Sequence, residues 1–184
     1  DPIDFDKWVP SKELANGNFD DLIDALVDFT QCLIGTDGII EAREIFFTAM
    51  GKTFHNDPFY EARIQYFLDY LVFNHLIKCS NTSAPIVSID QFVEHDLVAH
   101  KAPNLDSLKS RIHSLFHIDK VKKDKMWISD LLSGHSYELN ARGDELFTGY
   151  QKKMILQSYL FSSDANHWLS RGVIIHPMEA TKVI

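Results

Sequence analysis

Residues Asp57 to Ile77 read D-P-F-Y-E-A-R-I-Q-Y-F-L-D-Y-L-V-F-N-H-L-I, and how this stretch folds decides how the rest of the chain is arranged. Asp57 suits a helix cap and Pro58 the first helical position, where a missing N–H is no loss. At 100° per residue, Ile64, Leu68, Leu71 and Val72 fall on one side and Phe59, Tyr66, Tyr70, Phe73 and Ile77 on the other, with Leu76 and Phe67 between. No broad polar face is left, which predicts a buried central helix. Asp69, Asn74 and His75 interrupt the run, and it is too short for a membrane span.

Upstream, residues 1–17 are expected to form a lead-in broken by Pro2, Pro10, Asn16 and Gly17, with Phe5, Trp8 and Val9 as anchors and the two aromatics docked on the core. Asn18 then opens a helix carrying Phe19, Leu22, Leu26, Phe29 and Leu33 on one face, and Gly35 is its expected stop. Asp20, Asp21, Asp24 and Asp28 lack the D-x-D-x-D-G order of a calcium loop; the first three stand where a helix N-terminus favours acids. A further helix is expected from Ile39 to Met50, closed by Gly51. Arg43 and Arg63 fall among apolar side chains in the related phrases E-A-R-x-x-F-F and E-A-R-x-x-Y-F. Burying an unpaired guanidinium costs several kcal/mol, so both are expected to be paired inside the helical domain, with Asp69 a candidate partner, unless their stems carry the charge out to water.

Downstream, Ser88-Ile89-Asp90-Gln91 resembles a capping box, and a last helix is predicted from Leu105 to Phe116. From His117 the pattern turns to alternation and turn signals, which predicts strands near 118–122, 126–131, 136–139, 147–161 and 167–176. The expected fold is therefore α+β: an all-α domain over residues 1–116 built around helix 57–77, then a small antiparallel β-sheet or barrel, SH3-like or OB-like, over 117–184.

The chain has 184 residues, 45% hydrophobic and 24% charged, within the range of a folded globular protein. Its net charge of −8 is uneven: residues 1–115 carry 9 Lys and Arg against 18 Asp and Glu, whereas 116–184 carry 9 against 8. The acidic first part argues against a phosphate-binding surface there. Cys32 and Cys79 are too far apart for a paired-cysteine metal motif and suggest reduced thiols in the cytoplasm. The chain opens at Asp1 without a charged-then-apolar leader, which suggests a trimmed or partial product.

No motif names a reaction. His113 and His117, four apart on the predicted helix, would share a side, but H-E-x-x-H is not formed and no third ligand is close in sequence; His95 and His100 are five apart and diverge. Neither a G-x-S-x-G elbow nor a phosphate-binding glycine loop occurs. Catalytic residues, metal and cofactor are therefore all expected to be none. The β-segment carries Lys120, Lys122, Lys123, Lys125, Lys152 and Lys153 among Trp127, Tyr137, Tyr150, Tyr159 and Trp168, a composition that would suit single-stranded nucleic acid if it gathered on one face.

The phrase Phe67-Leu68-Asp69-Tyr70-Leu71-Val72-Phe73, then Asp130-Leu131-Leu132-Ser133-Gly134 and a late His176-Pro177, resembles a family of uncharacterised bacterial proteins of helical-plus-β build. Some such proteins end in a cysteine- and histidine-bearing zinc motif, which this chain lacks. The resemblance implies the architecture and no activity. The expected function is a cytoplasmic, non-enzymatic interaction or scaffold module whose partner is another protein, with no membrane role. The alternatives are single-stranded nucleic-acid binding by the β-domain, and an enzyme with a site at the domain junction drawn from His95, His100, His113, Asp130 and Arg63.

Overall fold

A computed structural model describes residues 8–11, 13–78, 84–99, 102–142, 146–163 and 166–176. Phe5, Cys79, His100 and Pro177 lie outside the described residues. The chain forms two compact units, one of residues up to Tyr60 with Phe67–Asp106 and one of Glu61–Tyr66 with Ser107 onward. A mainly helical region precedes the six-stranded sheet, as the α+β reading expects. Among the described residues no helix is long and apolar enough to cross a membrane.

In the first unit, α1 (Phe19–Met50) begins where Asn18 accepts the Asp20 N–H at 3.0 Å, with Asp20 and Asp21 in its first turn. Gly35, the expected stop of the first helix, takes φ 65°, ψ −178°, a non-helical glycine conformation, so α1 is two helical segments that meet at a kink there, the second beginning beyond Gly35 rather than at Ile39. α2 (Tyr60–Phe73) is shorter than the stretch 57–77. Asp57 turns its carboxylate onto the Phe59 N–H at 2.9 Å, which delays the helix, and Leu76–Ile77 leaves it as strand β1, paired antiparallel with β2 (Ile86–Val87). Tyr66, Phe67, Asp69, Leu71, Val72, Phe73 and Ile77 are buried, while Phe59 and Leu76 are exposed, so the stretch is buried over much of its length but not throughout.

Three short helices follow, α3 (Ser88–Glu94), α4 (Asp96–Ala99) and α5 (Leu105–Lys109). Trp8, Phe29 and Phe92 meet edge to face at 5.2–5.8 Å, and His95 joins Trp8 at 5.3 Å. Each ring buried there contributes about 1.5–3 kcal/mol through area alone. Ser88 does not cap α3; it is buried and its hydroxyl lies 2.5 Å from that of Thr30. Arg43 corrects an expectation: it is exposed, with its guanidinium 5.7 Å from the Phe47 ring centre. A helix residue near the end of a long stem reaches water at little cost, and the apolar contact is made by the stem.

The second unit holds β3 (Ile112–Val121), β4 (Lys125–Asp130), β5 (Ser136–Asn140), β6 (Ile155–Ser162), β7 (His167–Leu169) and β8 (Ile174–His176). Pairings run β3–β4, β4–β5, β5–β7, β7–β6 and β6–β3, closing a five-stranded ring, and β8 adds to β6. All are antiparallel except β5–β7, where Leu139 stands opposite His167. This closed order is that of an OB-type barrel. Phe116, Ile118, Met126, Ile128, Leu156 and Leu160 fill it, all fully buried.

Three sequence readings change here. Ile112–Phe116, expected to end a helix, is the start of β3, because Ser114, Phe116 and Ile118 alternate inward and the whole segment pairs with β6 from Ile112–Leu160 to His117–Ile155. The strand expected from Phe147 begins only at Ile155; Gly149 and Lys153 have φ of 88° and 74°, which no extended strand accommodates. The last strand is two, separated where the Ser170 N–H bonds Tyr159 O at 2.8 Å and the Ser158 hydroxyl bonds Gly172 O at 3.0 Å.

Candidate functional site

On the path from β5 to β6, the described residues 141–142 and 146–154 are tied down at several points. The Ala141 N–H bonds Asp124 O at 2.9 Å and the Phe147 N–H bonds Lys123 O at 3.2 Å, both in the β3–β4 turn. Between this loop and the segment that leaves β7 lies a cleft of about 380 Å³ whose walls include Asn140, Arg142, Phe147, Tyr150, Trp168 and Ser170. Phe147 and Tyr150 pack edge to face at 6.2 Å and lean on the barrel core, which backs that wall. Opposite, Trp168 lies 6.4 Å from buried Phe161, and the Arg142 guanidinium stands 5.9 Å from the Trp168 ring centre. Among the described lining residues Arg142 is the one charged side chain. The lining is about as polar as it is apolar, and an aromatic-walled concavity of this size with polar groups converging on it is a candidate ligand pocket.

The outer surface of β4 and β5 is polar. Trp127 donates its indole N–H to Glu138 at 2.9 Å, and Lys125 binds the other oxygen of Glu138 at 2.5 Å. That ion pair holds the Glu138 carboxyl below the ordinary carboxylate range. Lys120 and Lys122 stand 4.9 and 5.7 Å from the Trp127 ring centre. The ring's face is thus already covered by lysines of its own chain. A register shift between Ile118 and Lys120 marks a bulge at Asp119, whose carboxylate binds His117 Nδ1 at 2.9 Å and accepts the Ser129 hydroxyl at 2.5 Å. Burial raises the Asp119 pKa, but these hydrogen bonds and the charges of His117 and Lys152 outweigh it and leave the carboxyl below its ordinary value.

Asp130 is buried where the β4–β5 hairpin turns. It accepts the Ser114 hydroxyl at 2.5 Å, the Leu132 N–H at 2.9 Å and the Ser133 hydroxyl at 2.7 Å. Burial pushes its pKa up, and the hydrogen bonds more than reverse this, so it stays ionised to low pH. The Asp130, Ser133 and His135 series does not form a nucleophilic triad. The one proton of Ser133 is committed to Asp130, so His135 Nδ1, 3.0 Å away, must donate to Ser133 and has no proton there to take.

His113 and Asp130 do not converge: Ser114 carries the bond to Asp130 from the inner face of β3, while His113 lies on the outer face. His113 stacks on Tyr159 at 4.4 Å, and its Nε2 is 2.7 Å from the Tyr66 hydroxyl. Gln157 Nε2 donates to the same hydroxyl at 2.7 Å, and His176 bonds Gln157 Oε1 at 3.0 Å. Burial lowers the His113 pKa. On a strand, His113 and His117 are about 13 Å apart, so the shared helical face expected of them is not formed. His95 belongs to the aromatic core of the first unit, and Arg63 is half-buried in α2. Among the described residues no three His, Cys, Asp or Glu side chains gather as metal ligands. Sequence reasoning named Tyr150 and Trp168 without joining them and missed Arg142, whose place depends on the closure of β5 onto β7.

No protein-family model, curated protein or solved structure matches the chain.

Proposed function

We propose that the protein is a cytoplasmic, non-enzymatic interaction module that holds a segment of partner polypeptide in the barrel cleft. The observation that supports this most directly is the cleft itself, with aromatic walls backed by the core and one cation over an indole. Aromatic and arginine side chains are the residue types that dominate protein interfaces. The neighbouring hydroxyls that lie beside carboxylates, Ser114, Ser129 and Ser133, donate to them as structural bonds.

The test is panning of a displayed library of random short peptides on the full chain, with Val173→Trp as a variant that fills the cleft. Enrichment on the wild type that is lost on the filled variant, with both proteins giving the same circular dichroism, is the expected result. Failure to enrich, or equal enrichment on the filled variant, overturns the reading.

A second reading is single-stranded nucleic acid on the outer β4–β5 face. Its support is the OB-type strand order, together with Trp127 beside Lys120 and Lys122. Binding of a labelled oligothymidylate at low salt that disappears at high salt and in Trp127→Ala would favour it; no binding at low salt removes it.

A further inference from the structure

We propose that residues 61–66 are held on the barrel by a proton-gated latch, a hydrogen-bond chain through His176, Gln157, Tyr66 and His113 that accepts an added proton at one end and opens when both imidazoles are protonated. The inference is independent of the cleft. Residues 61–66 belong to the same compact unit as the barrel strands, and Tyr66 is buried there. Strand register brings its partners together. His113 stands opposite Tyr159 across β3 and β6, and Gln157 is the next residue on that face of β6. On the other edge of β6, His176 stands opposite Ile155, one further step along the same face.

The chemistry of the groups sets the direction of the chain. Gln157 Oε1 can only accept, so His176 Nε2 carries the proton in their 3.0 Å bond. Gln157 Nε2 donates to the Tyr66 oxygen at 2.7 Å, and the phenol passes its own proton on to His113 Nε2, also at 2.7 Å. All three bonds then run from His176 to His113, which must present a bare Nε2. A proton taken from solvent by His113 places an N–H there. The chain can respond by reversing: the Gln157 amide turns over, the phenol donates to its oxygen, and His176 moves its proton to Nδ1 and accepts. A protonated His176 has no acceptor to offer, so two donors would face each other within the chain. The closed latch therefore carries at most one imidazolium, and the second proton costs Tyr66 a partner.

His113 is exposed while one ring face lies on Tyr159 at 4.4 Å, so solvent protons reach it without unfolding. Besides Tyr159 and His176, the surrounding elements carry Arg111 and His117 along the β3 segment and Glu61 and Arg63 beside Tyr66. Burial against these neighbours lowers the His113 pKa, which makes it the accepting end at neutral pH.

The experiment follows the His113 imidazole by proton NMR in the full chain, as wild type and His176→Leu, and again as Tyr66→Phe and Tyr66→Phe/His176→Leu. Removing His176 from wild type should raise the His113 midpoint by roughly half to one pH unit, the scale of one stranded donor. Removing it from Tyr66→Phe, which keeps the ring and breaks the chain, should leave the midpoint where it was. Hydrogen exchange on the unmodified protein tests the latch without any variant. Corrected for intrinsic rates, protection of residues 61–66 should fall about tenfold or more between roughly pH 7 and pH 5, while β3 and β6 keep theirs. No rise in His176→Leu, an equal rise in both backgrounds, which would mean charge repulsion through space, or protection of 61–66 that ignores pH overturns the proposal.

Discussion

Replacing Asp130 with alanine removes one carboxylate and strands three donors of unequal cost. Leu132 N–H and the Ser133 hydroxyl sit in the exposed hairpin tip, so water replaces the lost acceptor and each loses about 0.5–1.5 kcal/mol net. The Ser114 hydroxyl is buried on the inner face of β3 and has no such replacement, which adds about 1–3 kcal/mol for an unsatisfied group. The total expected is roughly 2–6 kcal/mol. Urea unfolding followed by tryptophan fluorescence reads this as a lowered midpoint at unchanged slope. Adding Ser114→Ala removes the stranded donor, so the double variant should be more stable than the sum of the single variants by about 1–2 kcal/mol. A loss under about 1 kcal/mol in Asp130→Ala, or strict additivity, would show that the carboxylate does not organise this turn. The pH dependence gives an independent check. Because the folded pKa lies below the unfolded one, the unfolded chain binds more protons between the two values and stability rises with pH across that interval. The contribution is complete above the unfolded value, about 3.9, and is lost as pH falls through the folded value. The gap between wild type and Asp130→Asn should therefore close in acid.

Three further outcomes follow from the geometry. Thr30 gives its proton to Leu26 O at 2.8 Å, so Ser88 must donate to Thr30; Thr30→Val strands the Ser88 proton at a cost of about 1–3 kcal/mol, and thermal melts should show most of it recovered in Thr30→Val/Ser88→Ala. Gly35→Ala forces a side chain into a glycine conformation and should lower stability by about 1–3 kcal/mol; a higher melting temperature would mean that α1 runs straight. For His113, burial puts the folded pKa below the unfolded one, so the unfolded chain binds more protons between them and stability falls as pH drops below about 6.5. Proton NMR of the imidazole should show titration below the ordinary histidine range in wild type, and a midpoint at or above that range contradicts the desolvation of the ring.

Local chemistry was readable where it acts within one turn of chain. Asn18 marks the start of α1, and Gly51 its end, because capping depends on neighbours in sequence. Ile112–Phe116 misled because Leu108, Ile112, Leu115 and Phe116 fit a helical spacing as well as Ser114, Phe116 and Ile118 fit alternation, and a strand more than thirty residues downstream settles the choice. Arg43 was expected inside because a wheel shows direction without depth. The cleft was not legible at all: Arg142 and Trp168 become neighbours only when β5 and β7 pair in parallel, and nothing in either segment announces its partner.

The assignment of residues 61–66 has a practical consequence for dissecting the chain. The polypeptide passes from one unit to the other at 60/61, again at 66/67 and a third time at 106/107. A shortened gene that begins at Ser107 would keep every strand of the ring yet leave Gln157 Nε2 and His113 Nε2 without the phenol that both of them bind. Expressing the β-rich half by itself therefore calls for a supplied Tyr66, either as a synthetic helical peptide added in trans or as a grafted segment, before its behaviour can represent that of the whole.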